Sequence, residues 1–576
     1  MRPIRYTDEM IEEFKKDGYW TDEIFYDFWA LNAKTLGDRE ALVDSKYRVT
    51  WAQAYRLINA LALQWVKFGI PKDARVIIQA PNSVYGFLAR VASERAGLIS
   101  LTVYPYLREK ELEYMLERTE ATAVCIPQIY RKFNYLDMYK GLVGKSKNLK
   151  FFFLFEEEVP AGAPEGSYSL IELANRPFDE SELTLLDARR FSATHDVGLL
   201  TSTTGTTGLP KLVEWPIASR VCTSKARIDI WHLTKDDITM AIAPHAGGAA
   251  GTLTYFAAPL AGAKTVLMEE FDPEGAFALI EKEKVTAIGV VPTHLVRMLE
   301  CDETKYDLSS LRFIRSAGGY LPPQVAEEAE RRFKATITSD LGTQDVGSVS
   351  GCTIDDPGEI RRRTVGRMLP GNKVKLLDDK GKEVNPGEPG QLWFRGPHAP
   401  AGYYRDPEST APVFDKDGWT TTGDIVKEEE GCLWIMGRSK DMIIRGGQNI
   451  YPAEIEGILN EHPKIANVAI VGYPDKEMGE RACAYVVPKA GQTITKEEMI
   501  AFLKEKKLAA YKLPERLEIV DAILVRRRER IGGRAEKEIG RRFQFAARGE
   551  LALVPHVAGD AQQIDRVEIE DGLGLR

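Results

Sequence analysis

The sequence predicts an α/β protein: a large N-terminal domain with largely parallel sheets and flanking helices, followed by a small α+β C-terminal domain. Three observations lead there. The 576 residues exceed what one hydrophobic core holds. From about residue 40 to about residue 430, short apolar runs alternate with amphipathic helical stretches. Near Gly437 the texture shifts to a compact mixed pattern of roughly 100 residues.

In chain order, ARVIIQAP (74–81) reads as a buried strand, YGFLARVASERAG (85–97) as a helix and ATAVCIP (121–127) as the next strand. AKTVLM (263–268), FALIEKEKV (277–285) and TAIGVVP (286–292) repeat the scheme. Apolar strands separated by helices of this length imply βαβ units, hence parallel pairing. The second unit holds ANVAIVGYP (466–474), ACAYVVP (482–488) and the helical KEEMIAFLKEKK (496–507). The joining string GCLWIMGRSKDMIIRGGQNIYP is charged and glycine-bearing, which suits a hinge. The expected division is 1–436, 437–545 and an atypical tail, 546–576. No solenoid repeat or low-complexity segment is evident.

Apolar residues at 44% and charged residues at 28% describe a globular chain. A net charge of -8 argues against a general nucleic-acid or membrane-surface partner, which demands a basic footprint. Six scattered cysteines without a CxxC pair suggest neither a zinc site nor a disulfide framework, so a reducing compartment is expected. The N-terminus lacks an apolar signal region and no run approaches the roughly 20 apolar residues of a membrane span, so a cytoplasmic location is expected.

The segment LLTSTTGTTGLPKLV (199–213) carries the chemistry. A strand runs into a loop with five hydroxyl residues and two glycines over 202–208, closed by Pro210 and Lys211. Such a loop brings backbone N–H groups, hydroxyls and a cation to phosphate oxygens. It is no Walker A loop, which needs GxxxxGK[ST]; here Pro210 precedes the lysine and Leu212 follows it.

Thr204-Gly205-Thr206-Thr207-Gly208-Leu209-Pro210-Lys211 resembles the signature loop of the adenylate-forming superfamily of acyl-CoA synthetases, adenylation domains and luciferases. The likeness runs from about residue 15 to about residue 522, with the motifs in the expected order. It implies ATP, Mg²⁺ and CoA or a phosphopantetheine carrier as cofactors, a small carboxylic acid as substrate, and an AMP-forming acid–thiol ligase. It also implies that the C-terminal domain is mobile, with Lys440 at the hinge and Gly446 and Gly447 along the thiol's path. SAGGYLP (316–322) matches the turn that lines the adenine pocket, through Gly318 and Gly319. SDLGTQDVG (339–347) stands where the superfamily has YGxTE; Leu341 replaces the aromatic that stacks on adenine, Asp345 replaces the metal-binding Glu, and Gly342, Thr343 and Gln344 fill the remaining positions. TGD and GRSKD place Asp424 and Arg438 on the ribose.

Within the superfamily the strings KDGYW, RGPHAPAGYYRDPE and DMIIRGGQNI resemble the aryl-acid AMP ligases, of which 2,3-dihydroxybenzoate–AMP ligase is one kind. Those that take a 2-hydroxylated ring follow the motif histidine with an Asn. Here His245 precedes Ala246, Gly247, Gly248 and Ala249, a small-sided wall without a hydroxyl acceptor. A less polar acid is expected: an unsubstituted aryl, alicyclic or branched medium-chain carboxylate.

The resemblance also implies a C-terminal lysine that reaches the reacting carboxylate and α-phosphate. Its position falls on Arg530 within VRRRERIGGRAEK, and the nearest lysine is Lys537. Residues 431–520 hold nine Lys and four Arg, whereas 526–576 hold one Lys and ten Arg. Three readings fit: a shifted reading frame, a divergent tail in which Arg530 or Lys537 supplies the cation, or a protein impaired in adenylation. The functional alternatives are a ligase that uses CoA, an aryl-acid AMP ligase that loads a carrier-protein thiol, and a nucleotide- and acyl-binding protein with little catalysis.

Overall fold

The structure is a computed structural model that describes residues 1–3, 5–203, 209–445, 448–475, 477–525 and 551–555. The chain forms two compact units, Met1–Ser439 and Lys440–Arg576.

Among the described residues, the first unit contains an eight-stranded sheet. Strands Val197–Ser202, Ile99–Val103, Arg75–Gln79, Ala123–Ile126, Phe151–Leu154 and Ser167–Ser169 run parallel in that spatial order. They are almost wholly buried because crossover helices cover both faces of a parallel sheet. Leu212–Pro216 and Gly402–Tyr403 extend the Val197–Ser202 edge in antiparallel fashion. This edge matters for the site, since the sequence's Thr/Gly loop connects its strands.

A nine-stranded sheet has a parallel centre of Thr336–Thr343, Phe313–Ser316, Ala287–Val290, Ile238–Ala241, Lys264–Leu267 and Glu40–Val43. Its ends turn antiparallel, at Gly347–Gly351 and at Arg48–Thr50. A third sheet, entirely antiparallel, pairs Lys373–Leu377, Gly390–Arg395, Thr420–Glu429 and Cys432–Arg438.

Two helices show how local chemistry and burial combine. Trp51–Lys67 starts at a capping box, in which Thr50 accepts from the Gln53 N–H and the Gln53 side chain accepts from Thr50 N–H. Val84–Arg95 is capped by Ser83, and all twelve of its residues are buried, including Arg90, Glu94 and Arg95. Arg95 donates to Asn59 Oδ1 at 3.0 Å and to Asp187 Oδ1 at 2.7 Å, and Glu94 accepts the Tyr26 N–H at 2.8 Å. Burial pushes the Glu94 carboxyl up to about 7.

In the second unit an antiparallel pair, Ile465–Asp475 and Gly479–Pro488, is joined by Arg516–Val525 running parallel to the latter. Helices Pro452–Leu459 and Lys496–Glu505 contribute Ile455, Leu459, Met499 and Leu503 to a separate core. This is the α+β pattern that the sequence predicts. No helix among the described residues is long and apolar enough to cross a membrane.

Candidate active site

The ends of the Thr/Gly loop are pinched together. Ser202 lies opposite Leu212 in the antiparallel pair; beyond it, Thr203 N–H donates to Lys211 O at 2.9 Å and Lys211 N–H donates to Thr203 Oγ1 at 3.1 Å. Thr204, Gly205, Thr206, Thr207 and Gly208 lie outside the described residues. Lys211 Nζ stands 4.4 Å from the centroid of the Tyr403 ring. The Tyr403 hydroxyl donates to Asp345 Oδ2 at 2.9 Å, and Thr343 Oγ1 donates to Asp345 Oδ1 at 2.7 Å. Burial, reinforced by the Asp345 charge, raises the Tyr403 phenol and keeps it a donor. The sheet edge explains the meeting: Tyr403 pairs with Val213, two residues past Lys211.

Thr201 and Gln344, neighbours of this group along the chain, line a cavity of about 10 Å³, room for roughly one water molecule. Ala246, Gly247 and Gly248 form one wall, and Gln344 Nε2 donates to Ala246 O at 3.3 Å. Neighbouring atoms crowd the positions where larger side chains would stand. A Cβ on Gly247 would lie 2.7 Å from the Tyr104 hydroxyl, and one on Gly251 would lie 2.5 Å from His245 O. Arg315 holds the wall from behind: it donates to Gly248 O at 2.8 Å and Ala249 O at 2.6 Å while forming a bidentate pair with Asp340.

His245 is set by Asn82, which the sequence reading missed. Asn82 Nδ2 donates to the carbonyls of Ala241, Ala243 and Met268, which fixes Oδ1 as the acceptor for both His245 N–H at 2.8 Å and His245 Nδ1 at 3.0 Å. The imidazole therefore carries its proton on Nδ1. Nε2 is buried with no hydrogen-bond partner among the described residues. Burial, with the Arg90 charge adding to it, lowers His245 to about 3, so the ring is neutral.

The cavity is less apolar than the sequence predicts. Arg90 and Arg220 both line it. A string such as FLARVASERAG reads as a helix with a solvated charged face, whereas packing buries that whole helix.

Asp424 and Arg438 stand directly opposite one another on the hairpin Thr420–Glu429/Cys432–Arg438, with Arg438 Nε 3.4 Å from Asp424 Oδ1. Burial raises the Asp424 carboxyl and Arg438 opposes that rise. Gly318 takes a left-handed φ of +83° at the end of strand Phe313–Ser316, and a Cβ on Gly319 would touch the Pro292 ring. Leu341 is buried in the main hydrophobic cluster. Gly342 pairs with Ser348 on the neighbouring strand. Lys440 begins the second unit; Gly446, Gly447, Arg530 and Lys537 lie outside the described residues. Asp345 is the one predicted metal ligand, and the described residues hold no group of three or more His, Cys, Asp or Glu side chains fit to hold a metal. A lone carboxylate suits Mg²⁺, which keeps most of its waters and shares substrate phosphates, better than it suits an ion that needs a protein cage.

Two family models match the chain: AMP-binding enzyme over residues 29–404 and AMP-binding enzyme C-terminal domain over residues 454–529. The chain is 32% identical to 2,3-dihydroxybenzoate-AMP ligase of Bacillus subtilis, over 90% of this chain and 94% of that one. It is 30% identical to the medium-chain fatty-acid–CoA ligase of Escherichia coli, over 90% and 91%. Among solved structures it is similar to apo MbtA of Mycobacterium smegmatis, with a TM-score of 0.68 and 27% identity over 92% of this chain and 97% of that one.

Proposed function

The chain belongs to the AMP-binding enzyme family and is an AMP-forming acid–thiol ligase, and on that premise we propose which residues carry each half-reaction and that the thiol is CoA. In the first half, a carboxylate oxygen attacks the α-phosphorus of ATP; the bond from that phosphorus to the bridging oxygen breaks, and pyrophosphate leaves with the electron pair. In the second, the thiol sulfur attacks the acyl carbon, AMP departs with its oxygen, and the thiol proton passes to solvent.

The observation that carries this reading is the line from Lys211 through Tyr403 to Asp345, whose chain neighbours Thr201 and Gln344 line the cavity that holds His245. Lys211 and the loop 204–208 hold the β- and γ-phosphates, and the cation lowers the barrier by meeting charge as it develops on the leaving group. Gly318, Gly319, Gly342, Thr343 and Gln344 line the nucleotide, and the buried Leu341 supports the strand beneath it. Asp424 accepts hydrogen bonds from the ribose hydroxyls, with Arg438 beside it. Asp345 would hold Mg²⁺, whose charge offsets the phosphates when bound; Tyr403 and Thr343 orient that carboxylate. Neutral His245 borders the acid, with Ala246, Gly247, Gly248 and Ala249 as its wall. Arg530 and Lys537 are the candidate cations for adenylation, Lys440 is the hinge between the nucleotide-binding unit and a mobile C-terminal unit, and Gly446 and Gly447 let the pantetheine arm pass.

Mg·ATP, a panel of carboxylic acids and CoA, incubated with the full chain, test this. Equal amounts of AMP and pyrophosphate together with an acyl-CoA are expected. Adenylate formation that CoA does not stimulate would move the acceptor to a carrier-protein phosphopantetheine, a reading favoured by the likeness to the dihydroxybenzoate ligase. Formation of ADP and phosphate would overturn the reading.

A further inference from the structure

The cavity lined by His245 and the small residues is also lined by two guanidinium groups that have no direct ion-pair partner among the described residues. Arg90 and Arg220 are both buried, and neither is in an ion pair among the described residues. They rest on aromatic faces instead. The guanidinium carbon of Arg90 lies 3.6 Å from the Tyr255 ring centroid and 4.3 Å from that of Phe256, and that of Arg220 lies 3.3 Å from Trp215 and 4.8 Å from Phe256. Because both cations share the Phe256 ring, the last and second distances bound their separation at 9.1 Å. Arg220 Nε is buried with no hydrogen-bond partner among the described residues.

This arrangement is unfavourable in isolation. Two buried like charges repel, and cation–π contact replaces only part of the lost hydration. Elsewhere in the same unit buried arginines are matched: Arg315 with Asp340, Arg95 with Asp187. Glu94, one helical turn from Arg90, gives its Oε1 to the Tyr26 N–H and forms no direct ion pair with Arg90, so it offsets that charge only at a distance. The cavity, with room for about one water as it stands, must widen to admit an acid; an anion that entered would supply the missing charge, and guanidinium groups match a carboxylate with paired donors.

We propose that the acid activated here is a dicarboxylic acid: one carboxylate is adenylated, while the second is received by Arg90 and Arg220 at the far wall. The inference rests on the acid–thiol ligase reading for the chemistry at the first carboxylate, but not for binding of the second. It replaces the apolar acid expected from the sequence.

The test compares matched acids on the full chain: glutarate, adipate and benzene-1,4-dicarboxylate against pentanoate, hexanoate, benzoate and the corresponding methyl half-esters. Two readouts are taken, isothermal titration without ATP and pyrophosphate release with Mg·ATP. At least one dicarboxylate is expected to exceed its matched monocarboxylate by about a hundredfold or more, because buried donors left unpaired penalise the analogue. Arg90→Met and Arg220→Met, which keep the stem and remove the charge, are expected to cut dicarboxylate binding and turnover by a far larger factor than those of the matched monocarboxylate; a merely structural role would lower both acids by the same factor. Equal or better binding and turnover of monocarboxylates would overturn the proposal and leave the ligase reading standing, as would a panel in which no dicarboxylate binds. Preferential dicarboxylate binding without pyrophosphate release from any acid would uphold Arg90 and Arg220 as the carboxylate site but remove the ligase reading, and with it the activation of that acid. Should either variant fail to fold, the wild-type comparison decides alone.

Discussion

Replacing Asn82 with alanine tests whether the histidine in the acid cavity is built in place by its neighbour. The side chain takes part in five hydrogen bonds, three given to carbonyls and two received from His245. Alanine leaves His245 N–H and Nδ1–H buried without an acceptor, and each such donor costs about 1–3 kcal/mol, so the loss is about 2–6 kcal/mol. The first unit spans Met1–Ser439; at about 2.1 cal/mol/K of unfolding entropy per residue, this converts to a fall in its Tm of about 2–6 °C. Scanning calorimetry of the full chain reads the shift. The imidazole also becomes free to turn, so KM for the acid is expected to rise more than KM for ATP. A Tm within about 1 °C of wild type together with an unchanged KM for the acid would refute the reasoning, since two orphaned buried donors cannot be thermally silent.

Further outcomes follow from the same geometry. Lys211→Ala is expected to slow pyrophosphate release by about 10²- to 10³-fold; stopped-flow detection of pyrophosphate would show it, and a loss below tenfold would remove the lysine from the phosphate site. Gly289→Ala puts a Cβ 2.7 Å from Ala249 O and 3.1 Å from Ala250 Cα, both backbone, so a destabilisation of about 1–3 kcal/mol is expected by calorimetry. Asp424→Asn is expected to raise KM for ATP while leaving Tm nearly constant, because its partner Arg438 is half exposed and stands at 3.4 Å; a large fall in Tm would make the pair structural. His398 is fully buried and held down at about 4. Because the native value lies below the usual 6.5, the unfolded chain takes up a proton that the native chain refuses. Stability present above about pH 6.5 is lost as pH falls toward 4, by about 2 kcal/mol at pH 5. Glu94, raised from 4.5 to about 7, acts in the opposite sense over most of that range, down to about pH 4.5. A His398→Gln variant should therefore show a shallower acid loss in Tm; an identical slope would contradict the assignment.

Much of the fold was legible because its signals are local. The buried strands within ARVIIQAP, ATAVCIP and TAIGVVP resolve as Arg75–Gln79, Ala123–Ile126 and Ala287–Val290, and the helix of 85–97 as Val84–Arg95. The Asp424–Arg438 spacing has a structural reason that the sequence does not state: the two are cross-strand partners on one hairpin. What escaped depends on tertiary placement. Asn82 sits in a string that carries no motif of its own, and Tyr403 sits in RGPHAPAGYYRDPE, which marks the family without marking that tyrosine; only the packing of distant strands brings them to His245 and Asp345. Arg90 and Arg220 escaped because an arginine on a helix ordinarily faces water, and nothing in its neighbours announces that the helix is enclosed. The small residues 246–248 do line the cavity, together with Arg90 and Arg220, which the sequence reading did not place there.

The central claim is that this chain makes an acyl-adenylate, and ATP–pyrophosphate exchange tests that step without a thiol acceptor. Labelled pyrophosphate incubated with the full chain, Mg·ATP and the acid panel should enter ATP only when an accepted acid is present, because only reversal of adenylate formation regenerates labelled ATP. Binding of ATP with no acid-dependent exchange from any acid in the panel would contradict the account.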